Sequence, residues 1–419
     1  MKRLIALGLV IVMLCSTVPF ISAKKTNPYK AISNPQKLID ADAYMLVAID
    51  KTGHSVLAQR NMNKIKYPAS LTKIVTAMVT INRVKDLKKK TRVSARAVEV
   101  LEGTGSQIAY LREGDVVSFE ELLYLAMLFS ACDACQVLGE AVGGNIKNFT
   151  KLMNEWVRSI GCKNTHFVNP DGLHDDNHYS TASDIARISL AALKNKEFVK
   201  ISTSTSFYYN GSTFYHTNRM LHEPLDNYYY PYAKGIKTGY TKQADHCLVT
   251  TAQRNGVYLL AVILDSPLKK IKDEWIACSY LDAKKLFKWG FSRYLKKVVV
   301  AQNEAVDESY VLNGKNACAV KLVSAAAVES TVPEVLERDA ITVKALDPPD
   351  YVKAPLKKNQ PICKARIYCN NQPLGTVDLV CAQDVEENLL SHFSTRFDES
   401  IAQKPAYGFL ALLLMMIFV

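Results

Sequence analysis

The stretch Tyr67-Pro68-Ala69-Ser70-Leu71-Thr72-Lys73, continued by Ile74-Val75-Thr76-Ala77-Met78-Val79, places the tightest constraint on the fold. Leu71, Ile74, Val75 and Met78 recur at helical spacing, so a buried helix begins near Ser70. Pro68 favours a break just before it. Ser70 then sits at a helix start, and Lys73 lies one turn on, on the same face. A hydroxyl and an amine so placed can touch. A buried amine loses its proton readily and can serve as base to the hydroxyl. The helix N-terminus also offers free N–H groups to a developing oxyanion. The plainer alternative is an N-cap serine beside a surface lysine, and S-x-x-K alone is too short a pattern to exclude it.

A chain of 419 residues can hold two domains and a sizeable core. The formal charge of +12 and pI of about 9.0 suit an anionic surface such as a membrane or a cell wall. Nucleic acid is the competing partner, but the basic residues are scattered. Lys88-Lys89-Lys90 is the one tight run and reads as a solvated loop, so no nucleic-acid role is expected. Met1-Lys2-Arg3, the apolar run Leu4 to Leu14 and the small residues of Ile21-Ser22-Ala23 read as a secretory signal peptide over 1–23. Cys15 lacks the small residues expected before a lipoprotein cysteine. Of ten cysteines, nine follow the signal, and an odd number leaves at least one unpaired. Cys132 and Cys135 form a C-x-x-C without a second pair at zinc spacing, so they read as thiols.

Tyr44 to Ile49 and Ser55 to Gln59 read as a hairpin turning at residues 51–54. Ser118-Phe119-Glu120-Glu121 is a capping box opening a helix through Leu128. Helical patterns follow at 135–142, 146–160 and from Ser183 to about Leu193, with the long loop Phe167 to His174 between them. Gly235 to Thr241 precedes two strand-like runs, Cys247 to Ala252 and Val257 to Leu264, and a lysine-rich helix is expected from about Asp273 to Phe291. From about Ser292 the texture changes to short β-rich runs, which predicts a separate small β-sandwich over 292–385. A tail, 386–419, ends in the apolar run Tyr407 to Val419. That run is too short to span a bilayer unaided but suits an interface.

Three short motifs occur in order: Ser70-Leu-Thr-Lys73, Ser130-Ala-Cys132 and Lys237-Thr238-Gly239. S-x-x-K, S-D-N and K-T-G are the signature of penicillin-binding proteins and class A β-lactamases. With Phe167-Val-Asn-Pro-Asp-Gly-Leu173, His178-Tyr-Ser-Thr-Ala182 and Gly235-Ile-Lys-Thr-Gly-Tyr-Thr241, the chain from about 40 to 291 resembles the low-molecular-mass penicillin-binding proteins, the serine D-Ala-D-Ala carboxypeptidases. The resemblance implies an α/β (α+β) penicillin-recognising, β-lactamase-like domain over 24–291, followed by the all-β sandwich. It implies that Ser70 attacks the carbonyl of the penultimate D-alanine, Lys73 takes its proton, and Ser130 relays a proton to the leaving amine. Lys237 and Thr238 would hold the substrate's terminal carboxylate, and Gly239 would let the strand approach the substrate. The backbone N–H groups of Ser70 and Tyr240 would form the oxyanion hole. The implied partners are a peptidoglycan stem peptide ending in D-Ala-D-Ala, β-lactams as inhibitors, and a bacterial membrane surface met by the C-terminal segment of an exported protein.

Elementary chemistry agrees. Such a peptidase needs a nucleophile, a base, a second proton carrier and fixed donors, and no metal or cofactor. Two lysines facing one pocket should depress each other's pKa. His166, His174 and His178 are spaced too loosely for a zinc site and read as loop histidines. There are departures. Cys132 stands where the family usually has asparagine, and a thiol donates and accepts weakly. Asp245 stands where glycine is frequent. No clear arginine follows Leu264, and Lys269, Lys270 and Lys272 are weak substitutes. A β-lactamase is one alternative, but residues 169–173 hold no E-x-x-x-N. A non-catalytic wall-peptide or β-lactam sensor is the other, supported only by Cys132.

Overall fold

The computed structural model describes residues 34–222, 227–271, 273–337 and 339–388. The signal peptide expected over 1–23, Lys272 and the apolar run 407–419 lie outside the described residues. Among the described residues no helix is long and apolar enough to cross a membrane.

Five strands form one antiparallel sheet in the spatial order Gly53–Arg60, Ala43–Asp50, Val257–Ser266, Asp245–Arg254, Ala233–Thr241. The inner strands are apolar on both faces because both faces are covered. Met45, Val47, Leu260, Val262 and Leu264 enter one core, while Tyr44, Leu46, Leu259, Ala261 and Ile263 alternate into another. The first core takes the helices Lys73–Arg83, Cys132–Gly143, Ile146–Ser159 and Ala182–Ala192. The second is closed by the helix Cys278–Arg293. Helix starts follow capping chemistry. Ser118 and Glu121 make the reciprocal capping box, and Thr181 and Asn145 accept from the N–H groups of Asp184 and Asn148.

The segment Gly235 to Thr241, the strand expected to approach the substrate at Gly239, forms the outer edge of the sheet. Two helix expectations are corrected. The helix expected from Asp273 begins only at Cys278. Before it, Leu268–Ile271 and Glu274–Ala277 pair as a hairpin that turns through Asp273 in the left-handed region (φ 66°). The helix opened by Ser118 is regular only to Tyr124. Residues Leu125–Phe129 then form one π turn, and a new helix starts at Cys132.

The helix Cys278–Arg293 runs directly into the strand Tyr294–Val300, which pairs with Val328–Pro333. This ribbon shares a core with a six-stranded sheet through Val300, Val328 and Val332 on one side and Leu322, Ile367 and Leu379 on the other. That sheet includes the strands Ala305–Leu312 and Tyr351–Lys353, which pair in parallel at its edge. The two cores meet at the Asp50–Gly53 turn. The buried Asp50 carboxylate accepts from the N–H (2.8 Å) and hydroxyl (2.9 Å) of Thr331 and pairs with Lys296. All nine described cysteines are free thiols.

Candidate active site

Ser70 lies in the 3-10 turn Ala69–Thr72, one step before the helix Lys73–Arg83. The turn enters with Ala69 at φ 47°, and two glycines from elsewhere in the chain close upon it. A Cβ on Gly172 would stand 2.0 Å from the Ala69 carbonyl oxygen, at a φ of +86° that only glycine adopts freely. A Cβ on Gly239 would stand 3.1 Å from both the Pro68 carbonyl oxygen and the Ser70 nitrogen. The third motif therefore packs its edge strand directly against the nucleophile turn. The close approach expected of Gly239 toward substrate is, in the folded chain, first a close approach to Ser70.

Lys73 is fully buried, and its Nζ donates to Ser70 Oγ (2.8 Å), to the Asp171 carbonyl oxygen (2.6 Å) and to Cys132 Sγ (3.4 Å). These three contacts use all three N–H bonds of an ammonium. Asp171 is held in turn by Gln136 Nε2 (2.6 Å) and the Leu173 N–H (2.9 Å) on its carboxylate. Ser130 sits at φ 66° at the end of the π turn, and the Cys132 N–H donates to the Gln107 carbonyl (2.8 Å). Ser130 and Cys132 are buried yet line the same cleft as Ser70, Thr238, Gly239 and Tyr240. That cleft encloses about 790 Å³. Thr238 Oγ1 meets Thr217 Oγ1 at 2.6 Å. Lys237 is fully buried on the same strand, hydrogen-bonded to the Thr238 carbonyl (3.1 Å), and does not itself line the cleft.

The two lysines are within electrostatic reach, but their pKa values part. Lys237 is held well below the ordinary lysine value, first by burial and then by the Lys73 charge. Burial pushes Lys73 down, yet the neighbouring Cys132, Cys135 and Asp171 groups outweigh it and hold Lys73 above the ordinary value. Mutual depression of both lysines is thus corrected: one proton is held by Lys73 at the expense of Lys237. Burial raises the thiols of Cys132 and Cys135, so neither is a poised thiolate.

The histidines are structural in their contacts. His178 accepts from the Val168 N–H (3.3 Å) and meets Thr72 Oγ1 at 2.7 Å, and His174 packs edge-on against Tyr67. Among the described residues no group of His, Cys, Asp or Glu forms a metal-binding cluster. Asp245 stands in the left-handed region (φ 51°), which explains how it serves where a glycine would be unstrained.

The structure thus brings Ser70, Lys73, Cys132, Ser130, Thr238, Gly239 and Tyr240 together, with Lys237 behind them. Sequence reasoning gave no role to the Asp171 carbonyl, Gly172 or Thr217. The first two lie in the 167–173 loop, whose N-P-D-G run signals a tight turn but not its contact with Ala69. Thr217 carried no signal.

Comparison with known proteins bears on the same residues. The D-alanyl-D-alanine carboxypeptidase family matches residues 30–267, and the C-terminal domain of penicillin-binding protein 5 matches 294–387. The D-alanyl-D-alanine carboxypeptidase DacF of Bacillus subtilis is 26% identical over 92% of this chain and 95% of its own. DacA of Haemophilus influenzae is 30% identical over 85% of this chain and 87% of its own. The crystal structure of penicillin-binding protein 5 from Haemophilus influenzae is 28% identical and superposes with a TM-score of 0.67, covering 83% of this chain and 98% of that one.

Proposed function

Because this chain belongs to the D-alanyl-D-alanine carboxypeptidase family, we propose that it trims terminal D-alanine from peptidoglycan stem peptides through an acyl-enzyme on Ser70. The observation that carries this is the 2.8 Å contact between Lys73 Nζ and Ser70 Oγ at the floor of a shared cleft. Once deprotonated, Lys73 accepts the Ser70 hydroxyl proton as Oγ bonds to the penultimate carbonyl carbon. The N–H groups of Ser70 and Tyr240 receive the oxyanion. Ser130 passes a proton to the nitrogen of the departing D-alanine, and water then releases the shortened peptide. Thr238 meets the terminal carboxylate in the cleft, and Lys237, buried behind it, places positive charge near that carboxylate. An arriving carboxylate favours charge on Lys237, and a charged Lys237 in turn helps Lys73 give up its proton.

A penicillin follows the same course to the acyl-enzyme and stays there. The Asp171 carboxylate is tied to Gln136 and the Leu173 N–H, which supports slow release over β-lactamase turnover. Intact-mass measurement after incubation with penicillin tests the reading. Wild type should gain one penicillin and Ser70→Ala none, and wild type should release D-alanine from a peptide ending in D-Ala-D-Ala. An adduct retained in Ser70→Ala, or rapid penicillin hydrolysis, overturns it. The basic pI, the leader-like 1–23 and the apolar 407–419 support export and attachment to the extracytoplasmic face of a bacterial cell membrane. Fractionation with and without 407–419 checks the attachment.

A further inference from the structure

Tyr240, His246 and Ser266 share one register row across three neighbouring strands, and the rings of Tyr240 and His246 lie 4.7 Å apart. The base of the Leu268–Ala277 hairpin is therefore two strand spacings, about 10 Å, from the cleft's Tyr240. The Cys278 N–H closes that base onto the Pro267 carbonyl (3.0 Å), and the next two residues, Ser279 and Tyr280, line the cleft. Leu268, Lys270 and Trp275 share one face of the hairpin, since Leu268 opposes Ala277 and Lys270 opposes Trp275. Trp275 is 65% exposed, Leu268 43% and Tyr240 61%. Exposed apolar side chains grouped beside a cleft mark a contact surface.

We propose that this hairpin face docks the polymeric part of the substrate, the carbohydrate strand that carries the stem peptide. The inference rests on the carboxypeptidase reading of the cleft. Trp275 lies two residues, about 7 Å, beyond the hairpin base, which is itself about 10 Å from Tyr240, whereas a D-Ala-D-Ala unit extends only about 7 Å. The face is beyond reach of the scissile dipeptide and within reach of what the dipeptide is attached to. The apolar faces of sugar rings stack on indole. An anionic membrane fits less well, because the two described lysines of the hairpin are already paired: Lys269 with Asp40 (2.5 Å) and Lys270 with Asp273 (3.2 Å). The hairpin also stands at the sheet end opposite the Asp50–Gly53 turn, where the β-rich domain attaches.

Full-length Trp275→Ala tests this against wild type. Penicillin acylation and D-alanine release from a soluble peptide should stay within about twofold, while release from purified peptidoglycan at low concentration, and co-sedimentation with it, should fall about five- to tenfold. Equal loss on peptide and polymer, no loss on polymer, loss confined to co-sedimentation with phosphatidylglycerol vesicles, or a changed oligomeric state each overturns the proposal. If wild type releases no D-alanine from either substrate, the carboxypeptidase reading fails. Co-sedimentation with peptidoglycan still decides the docking face, supporting it if it depends on Trp275 and overturning it if it does not.

Discussion

Lys73 Nζ stands 3.4 Å from Cys132 Sγ, so the one departure in the middle motif touches the proposed base directly. A thiol is a poor partner for an ammonium and offers a substrate carbonyl little. Cys132→Asn places an amide there, with an oxygen for Lys73 and an N–H for the substrate. One net hydrogen bond is worth about 1 kcal/mol, so penicillin acylation should speed up about fivefold. Stopped-flow acylation rates check this; a slower variant would mean that the pocket is shaped around sulfur.

Acylation should accelerate as pH rises above neutrality. Lys73 is held above the ordinary lysine value and must lose its proton before it can accept one from Ser70. The active fraction therefore grows toward alkaline pH. A pH profile of the acylation rate that is flat through the alkaline range contradicts this assignment.

Gly172 and Gly239 should fail differently. Gly172→Ala meets the Ala69 carbonyl at 2.0 Å with φ at +86° and should destabilise the fold by about 3 kcal/mol or more. Gly239→Ala makes contacts of 3.1 Å that a small shift relieves, so it should keep most of its stability and lose acylation rate by displacing the Ser70 turn. Thermal unfolding and acylation, measured on both variants, separate the two.

Acid should destabilise the protein well before its carboxylates titrate. Burial holds His178 and His216 down to about 3, against 6.5 for free imidazole. The unfolded chain takes up these protons first, so stability is full above 6.5 and falls as pH drops toward 3, by about 1.4 kcal/mol per pH unit and group. Denaturant titrations along this range check the slope; constant stability down to about pH 4 contradicts it.

The reading from sequence succeeded where a local pattern carries its own physics. The Ser118 capping box, the hairpin at 51–54 and the buried helix after Ser70 all depend on residues within a few positions of one another. It failed where local preference was ambiguous. Lysines at 284, 285 and 288 suggested a helix reaching back to 273, whereas Trp275 and Ile276 pair across a turn.

From its order of residues alone, the chain determined that a hydroxyl and an amine would lie one turn apart on a buried segment, because helical geometry is local. It also set the three motifs in an order that one fold accommodates. Only the folded chain decided which lysine keeps the proton. Burial opposes charge on both, and the balance is struck by Cys132, Cys135 and Asp171, which lie 59 to 98 residues from Lys73 in sequence and reach it only through tertiary packing.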